Sequence, residues 1–280
     1  MRKFCVFILS HGRADRVVTI ETLKRCGYSG DWFIVIDNED DTASRYEELY
    51  GDKVIMFDKA EIAKRFDTAD LSNDRRTIVF ARNACFDIAE KLGYEYFLEL
   101  DDDYTDIQSR EDSGKKLLIT SIKNADLLFE AYVDFLEESN SLTVAMAQGG
   151  DFIGGRENQR LKERLLRKAM NTFFCKTERR FWFVGRINED VNTYCLLGQR
   201  GEKIFTAVDA MITQKQTQTN DGGMSDVYLD MGTYLKSFYS VMFCPSCVKI
   251  SVMGDKHKRI HHEVSWNKCA PKILNERWKK

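Results

Sequence analysis

Short apolar runs alternate with longer amphipathic segments over the first hundred residues of the chain. The runs are rich in Val, Ile and Phe, which predicts strands, whereas the intervening segments carry apolar residues at helical spacing. Gly27 and Gly93 directly follow two of these segments and signal helix C-termini. Strands are therefore predicted at residues 4–9, 32–36, 53–57 and 96–100, and helices at residues 16–26, 37–51 and 74–92.

Strand–helix alternation predicts right-handed βαβ units, and hence an α/β fold with a mostly parallel sheet flanked by helices. The second half reads as mixed α+β, with no internal repeat and no linker. We therefore expect a single domain over residues 1–280, with halves at 1–104 and 105–280. In the second half, helices are predicted at 121–138, 189–197 and 227–239, and strands at 143–147, 172–176, 181–184, 203–212 and 248–253.

Composition and charge narrow the functional classes. Hydrophobic residues make up 43% of the 280 residues, which excludes global disorder. The net charge of −2 makes no case for nucleic-acid binding by the whole chain, although the run RENQRLKERLLRK at 156–168 is locally basic. The N-terminal apolar run is too short for a signal segment or a membrane span, so we expect a cytoplasmic protein without a membrane segment or obligate protein partner.

The eight cysteines are expected to be reduced and mostly buried, because their neighbours are apolar. Cys244 and Cys247 form the one CxxC motif. Zinc binding would need further ligands, for which Cys269 and the histidines at 257, 261 and 262 are available. Packing of the cysteines in the core is the favoured interpretation.

The stretch FLELDDDY at 97–104 places three carboxylates directly after a buried strand. Ligands of open α/β sheets bind at the carboxyl ends of strands, where this triplet would lie. Side chains alternate along a strand, so Asp101 and Asp103 should share one face while Asp102 faces the other. Two such carboxylates suit Mg²⁺ or Mn²⁺. A solvated acidic turn is the alternative.

The segments FILSHGRADRV (7–17) and ARNACFDIAEKLGYEYFLELDDDY (81–104) resemble the glycosyltransferase A fold with its DxD motif. Together with QGGDFIGG (148–155) and GRINEDVNTY (185–194), they resemble most closely the TET-associated glycosyltransferases of bacteriophages. That resemblance implies a UDP-sugar donor, a divalent metal held by Asp101 and Asp103, and hydroxymethylated DNA as the acceptor. It also implies a donor-binding set of Ser10, His11, Gly12, Arg13, Asp37, Arg82, Asn83, Asp101 and Asp102. Gly154 is a further candidate, because glycine permits close approach of the backbone, and an ordinary hairpin turn is the alternative.

Asn188, Glu189 and Asp190 open a predicted helix, where N-capping explains them without any function. The resemblance implies instead that the acidic pair supplies the base of an inverting transfer, with Asp190 as the first choice and Glu189 as the second. It further implies that a C-terminal histidine completes the metal site, for which His257 and His262 are the candidates. A solvated basic loop is the alternative for these histidines.

The acceptor is less constrained by the sequence. The basic run at 156–168 could face a DNA backbone if it is helical, or could be an ordinary solvated surface. The polar segment 213–226 could be a mobile lid or a disordered loop. Transfer onto 5-hydroxymethylcytosine is the favoured function. The alternatives are transfer onto a surface glycan or protein, a nucleotidyltransferase, and a catalytically silent module that binds nucleotide-sugar or modified DNA.

Overall fold

A ten-stranded mixed sheet forms the centre of the fold in the computed structural model, which describes residues 2–69, 74–214, 235–253, 258–269 and 276–278. Its strand order is β3-β2-β1-β4-β9-β7-β10-β5-β6, and β8 pairs with β10. The strands are β1 (Phe4–Leu9), β2 (Asp31–Asp37), β3 (Val54–Phe57), β4 (Tyr96–Asp101), β5 (Tyr104–Asp112), β6 (Leu117–Ser121), β7 (Thr143–Ala147), β8 (Leu165–Leu166), β9 (Phe173–Lys176) and β10 (Ile204–Gln214). Two further strands, β11 (Val248–Met253) and β12 (Arg259–Val264), form a separate antiparallel pair.

Helices cover both faces of the sheet. They are α1 (Val18–Arg25), α2 (Ala43–Tyr50), α3 (Lys59–Ala63), α4 (Val79–Leu92), α5 (Ala125–Ser139), α6 (Gln159–Glu163), α7 (Glu189–Gln199), α8, whose described part covers residues 235–243, and α9 (Trp266–Cys269). Among the described helices, none combines the length and the apolar character that crossing a bilayer requires.

Strand β1 shows why the apolar runs form a sheet that is covered on both sides. Cys5, Phe7 and Leu9 pack into the core with helix α4, whereas Val6 and Ile8 pack into the opposite core with helices α1 and α5. A strand that is buried on both faces reads as a continuous apolar run rather than an alternating one. The predicted α/β class is therefore confirmed, and the cores lie above and below the same sheet.

Strand direction places the loops that matter for function. Strands β1, β2, β3 and β4 pair in parallel, and β9 inserts antiparallel between β4 and β7. Strand β7 thus runs in the same direction as β4, and β10 pairs with it in parallel. The carboxyl ends of β1, β2, β4, β7 and β10 consequently meet at one edge of the sheet, which we call the carboxyl edge.

Several local predictions were wrong. Residues 181–184 are not a strand, although Phe181 and Phe183 are buried in the core. The hairpin β5–β6 was missed, because β5 is mostly polar and directly follows the acidic triplet, and the apolar residues Leu118 and Ile119 of β6 are exposed and do not belong to a buried run. The loop predicted around the C-terminal histidines is in part strand β12.

The basic run at 156–168 does not form one continuous helix. Helix α6 covers only Gln159–Glu163, and β8 follows it. Arg156 pairs with Asp112, and Lys168 pairs with the buried Asp151. Arg164 pairs with Asp209. A continuous basic helix facing a DNA backbone is therefore excluded for this segment.

Candidate active site

Thr19 of helix α1 forms hydrogen bonds with the backbone of the acidic triplet at the end of β4. Its hydroxyl donates to the carbonyl oxygen of Asp101 at 2.6 Å and accepts from the amide of Tyr104 at 3.0 Å. Its own amide donates to the carbonyl oxygen of Asp102 at 3.1 Å. Three hydrogen bonds from one buried residue hold the turn in place. The sequence analysis missed Thr19, and only its position behind the first loop could have indicated it.

The side chains of Asp101, the last residue of β4, and Asp102, in the turn that follows, contact different partners. Asp101 Oδ1 accepts from Arg82 Nη2 at 3.0 Å. Asp102 is 4% exposed and accepts from the Ser10 hydroxyl at 2.5 Å and from Arg13 Nη1 at 3.1 Å. Asp102 therefore joins the triplet to the first loop, while Asp101 belongs to the face that contains Arg82.

Asp103 carries the clearest electrostatic signature of the triplet. Burial and the neighbouring charges of Asp101 and Asp102 raise the pKa of Asp103 to about 6. Like charges that are crowded into a partly buried site disfavour ionisation, and a bound cation relieves that cost. The triplet therefore has the charge and the hard oxygen atoms that a divalent cation requires.

Arg82 lies beneath the carboxyl edge as a buried cation with three carboxylate partners. Its side chain is 2% exposed and contacts Glu189 at 3.1 Å, Asp101 at 3.0 Å and Glu99 at 3.5 Å. The guanidinium also lies 4.7 Å from the ring centroid of Phe173. Arg82 thus positions acidic side chains from strand β4 and helix α7 around one charge.

Burial raises the pKa values of three carboxyl groups near Arg82, those of Glu99, Glu189 and Asp190. Burial raises the pKa of Glu99 to about 8, although Arg82 opposes this rise. Burial and the charge of Asp190 raise the pKa of Glu189 to about 7. Burial also raises the pKa of Asp190. Glu99 was missed from the sequence, although an acidic residue inside the apolar stretch FLEL is a signal that a buried cation lies opposite.

Asn188, the residue that precedes helix α7, lies beside a C-terminal histidine. Asn188 has a positive φ of 54°, and its side chain does not cap the helix. Its amide nitrogen instead donates to the carbonyl oxygen of Lys236 at 2.7 Å and lies 3.4 Å from His262 Nδ1. Burial, His261 and Lys236 lower the pKa of His262 to about 4, which keeps its imidazole neutral. His257 lies outside the described residues.

The first loop after β1 is held by two acidic residues at the end of β2 and just after it. His11 Nδ1 lies 2.9 Å from Asp37 Oδ2, and Lys59 Nζ donates to the same oxygen at 3.1 Å. The hydrogen bond with Asp37 is the main cause that raises the pKa of His11. The amide of Gly12, whose φ is +68°, donates to Asp40 Oδ2 at 2.8 Å. Asp37 therefore contacts the loop through His11, while Lys59 of helix α3 pairs with the same carboxylate. Asp40 is an addition to the predicted set.

Tyr46 fixes the other two residues of this loop. Its buried hydroxyl lies 2.7 Å from the Ser10 hydroxyl and accepts from the Arg13 amide at 2.9 Å. Ser10 and Arg13 also contact Asp102, so the loop and the triplet form one connected polar network. Tyr46 had no signal in the sequence beyond its place on helix α2.

Asn83 and Arg82, which the resemblance places in the donor-binding set, are both buried beneath the carboxyl edge. Asn83 is fully buried, and its side chain donates to the carbonyl oxygen of Phe183 at 3.0 Å and accepts from the amide of Phe183 at 2.9 Å. Both polar groups of the Asn83 side chain thus form hydrogen bonds with the backbone of the segment that leads to α7. The two residues support the site from below.

The Gly-rich segment 148–155 lies at the carboxyl edge, at the end of β7. It forms two short 3-10 turns, Gly149–Phe152 and Gly155–Glu157. Gly154 between them has a φ of +95°, a conformation that side chains other than glycine rarely adopt. Of the polar segment 213–226, residues 215–226 lie outside the described residues.

Solved glycosyltransferase structures resemble the chain at low sequence identity. Glucosyl-3-phosphoglycerate synthase from Mycobacterium tuberculosis, in complex with Mg²⁺ and UDP, has a TM-score of 0.49 and 10% identity, covering 94% of this chain and 88% of that one. The mannosyltransferase PcManGT from Pyrobaculum calidifontis, in complex with GDP-Man and Mn²⁺, has a TM-score of 0.49 and 13% identity, covering 86% of this chain and 65% of that one. TarS 1-349 from S. aureus, in complex with UDP-GlcNAc, has a TM-score of 0.44 and 13% identity, covering 82% and 64%.

A search among curated proteins finds no match to the chain. The sequence model of one protein family, described as TET-Associated Glycosyltransferase, matches residues 4–223. This match spans the first loop, the acidic triplet, the Gly-rich segment and the start of helix α7. The chain therefore belongs to the TET-associated glycosyltransferase family.

Proposed function

We propose that the protein transfers a sugar from a UDP-sugar donor onto the hydroxyl group of 5-hydroxymethylcytosine in phage DNA, in the cytoplasm of the host cell. The observation that carries the transferase part is the crowded acidic triplet at the carboxyl edge, connected through Arg82 to a second acidic pair on helix α7. Family membership supports glycosyl transfer as the reaction class. The DNA acceptor rests on the family resemblance alone.

The residues at the edge fit a divalent cation, Mn²⁺ or Mg²⁺. Asp101 and Asp103 would hold it through carboxylate oxygens, and His262 offers a neutral imidazole beside Asn188. Burial and the charges of Asp101 and Asp102 raise the pKa of Asp103, and a bound cation would stabilise its ionised form. When bound, the cation supplies positive charge against the diphosphate that leaves.

The remaining roles, binding of the nucleotide and removal of the acceptor's proton, would belong to the first loop and to the start of helix α7. Ser10, His11, Gly12 and Arg13 form the loop against which the nucleotide would lie. In an inverting transfer, the acceptor oxygen bonds to the anomeric carbon as the bond from that carbon to the diphosphate oxygen breaks. Asp190 would take the proton of the acceptor hydroxyl, and Glu189, held by Arg82, would be a positioning residue. A retaining reaction would remove this role for Asp190.

The contacts of the acidic pair favour Asp190 as the base. Glu189 is 8% exposed and its Oε1 is paired with Arg82, whereas Asp190 is more exposed. Among the described residues, the hydrogen bond recorded for the Asp190 side chain comes from the neighbouring amide of Val191 at 2.7 Å. A base must be able to reach the proton that it removes, and Asp190 meets that requirement better.

The decisive experiment incubates the protein with Mn²⁺, a panel of UDP-sugars and hydroxymethylated DNA, and analyses the nucleosides by mass spectrometry. We expect a glycosylated hydroxymethylcytosine with one of the sugars and none with unmodified DNA. The double variant Asp101→Asn, Asp103→Asn should abolish the product.

Parallel assays separate the alternatives. Sugar transfer onto oligosaccharides or protein, but not onto DNA, would assign the surface-glycan or protein acceptor. Donor binding without release of UDP would assign a silent binding module, and release of pyrophosphate would assign a nucleotidyltransferase. Each of these results would overturn the proposal.

A further inference from the structure

Four of the eight cysteines meet in one buried cluster that includes a residue of helix α7. Cys195 lies within α7, Cys244 directly follows α8, Cys247 ends the turn that follows, and Cys269 is the last residue of α9. All four are 5% exposed or less. Cys195 is distant in sequence from the other three, so the complete cluster exists only in the folded chain.

The sulfur atoms of the cluster are close enough to share one ion. Those of Cys195, Cys244 and Cys247 all lie within 4.8 Å of one another. The sulfur of Cys269 lies 3.6 Å from that of Cys195 and 2.7 Å from that of Cys247. A zinc ion with bonds of about 2.3 Å holds four tetrahedral sulfurs about 3.8 Å apart. The Cys195–Cys269 separation agrees with that value, and the three sulfurs of Cys195, Cys244 and Cys247 lie within a limit that includes it. The Cys247–Cys269 pair would open by about 1 Å to reach it.

We propose that Cys195, Cys244, Cys247 and Cys269 bind one Zn²⁺ in a tetrahedral structural site. Cys244 and Cys247 form a tight turn in which the amide of Cys247 donates to the carbonyl oxygen of Cys244 at 3.1 Å, a spacing that is typical of zinc ligands. The side-chain amide of Gln199 donates to the sulfur of Cys247 at 2.9 Å. Hydrogen bonds to the ligand sulfurs stabilise their negative charge and are a regular feature of such sites.

Apolar packing, which the sequence analysis favoured, does not require four sulfurs in one place. The other four cysteines, Cys5, Cys26, Cys85 and Cys175, are also buried and free, but among the described residues they form no comparable group. The sequence analysis named Cys269 and the histidines as the ligands available to the CxxC motif for zinc. It had no means of finding Cys195, which only the packing of α7 supplies.

The position of the cluster explains what such a site would do. Strands β11 and β12 form a sheet of their own, outside the ten-stranded sheet. Helix α9 packs so closely on α7 that a β-carbon at Gly198 would lie 3.2 Å from the carbonyl oxygen of Cys269. Zinc would join the C-terminal segment to α7, and α7 begins with Glu189 and Asp190. The role is structural and is independent of the proposed transfer reaction.

The test measures zinc in the purified full-length protein by inductively coupled plasma mass spectrometry after dialysis. We expect about one zinc per chain, as a four-cysteine site binds a single ion. The double variant Cys244→Ala, Cys269→Ala should lose the zinc. The control Cys85→Ala, Cys175→Ala removes two equally buried cysteines outside the cluster and should keep it.

A second measurement applies even if the double variant fails to fold. Wild-type protein in which Co²⁺ replaces zinc should show the intense ligand-field and thiolate charge-transfer bands of tetrahedral cobalt bound to sulfur. Wild-type protein that contains no zinc and binds no added Zn²⁺ or Co²⁺ in stoichiometric amount would overturn the proposal. A disulfide between Cys247 and Cys269 in the freshly purified protein, detected by thiol counting and peptide mapping, would overturn it as well.

Discussion

The Nε atom of Arg82 lies 3.1 Å from Oε1 of Glu189, and this buried ion pair joins helices α4 and α7 across 107 residues of sequence. The same guanidinium holds Asp101 of the acidic triplet. The metal-binding side and the base side of the candidate site are therefore positioned by one cation. Substitutions at this contact should affect both stability and catalysis.

Replacing Arg82 with Ala leaves three buried or partly buried carboxylates without their cation. We expect a loss of about 3–5 kcal/mol in the free energy of unfolding, the usual cost of breaking a buried ion pair on one side. Urea denaturation followed by circular dichroism measures it. Arg45→Ala, which removes exposed ion pairs with Asp15 and Glu48, should leave the free energy of unfolding nearly unchanged. Equal losses in the two variants would contradict the central role of Arg82.

Glu99→Gln should change how stability depends on pH. The pKa of Glu99 is raised from 4.5 to about 8 by burial, so the folded state binds its proton more tightly than the unfolded state. The stabilising effect of that proton is complete below pH 4.5 and is lost as the pH rises toward about 8. Wild-type stability should therefore fall relative to the variant across this window, as measured by urea denaturation at several pH values. Curves of stability against pH that run parallel for the wild type and Glu99→Gln would refute the prediction. The control is Glu130→Gln, at an exposed position.

Asp190→Asn should lower kcat by about 10²–10⁴-fold, because the variant lacks a carboxylate that can accept the proton of the acceptor hydroxyl. The KM for the donor should change little, since Asp190 lies on the acceptor side of the proposed reaction. Steady-state kinetics at saturating Mn²⁺ measures both constants. Asp52→Asn, at an exposed position, is the matched control. An unchanged kcat would remove Asp190 from the mechanism.

The acidic pair also predicts the pH profile of the wild-type enzyme. Burial raises the pKa of both carboxyl groups, and that of Glu189 reaches about 7. Protonation of the pair as the pH falls through this range removes the base, so kcat/KM should decline from neutral toward acidic pH. The profile is measured with the donor and acceptor that the mass-spectrometric assay identifies. A rate that stays constant down to the ordinary carboxyl range would show that the pair does not titrate during turnover.

Thr19→Val should weaken metal binding without touching any proposed ligand. The change removes the hydroxyl that bonds Asp101 and Tyr104, so the triplet loses two of the three hydrogen bonds that fix its turn. We expect a destabilisation of about 1–3 kcal/mol and a higher Kd for Mn²⁺, measured by isothermal titration calorimetry. Thr206→Val removes a buried hydroxyl that donates to the carbonyl oxygen of Lys168, away from the triplet. It should destabilise the protein similarly but leave the Kd for Mn²⁺ unchanged. An equal rise of the Kd for Mn²⁺ in both variants would contradict the role of Thr19.

Local patterns were sufficient for most of the secondary structure and for the acidic triplet. The predicted strands 4–9, 143–147 and 248–253 coincide with β1, β7 and β11, because alternation and apolar runs are properties of neighbouring residues. The segment 181–184 was predicted wrongly for the same reason. Its apolar residues do fill the core, but Asn83 holds the backbone of Phe183 in an irregular conformation.

The sequence by itself determined the α/β class, the strand that delivers Asp101, Asp102 and Asp103 to the carboxyl edge, and the family resemblance, since each depends on residues close together along the chain. Only the tertiary structure decided that Arg82 lies beneath the site with Glu99 and Glu189, and that Cys195 joins the other three cysteines. These contacts link residues far apart in sequence, and their energies depend on burial, which is set by the packing of α4, α7 and α9 and not by any local pattern.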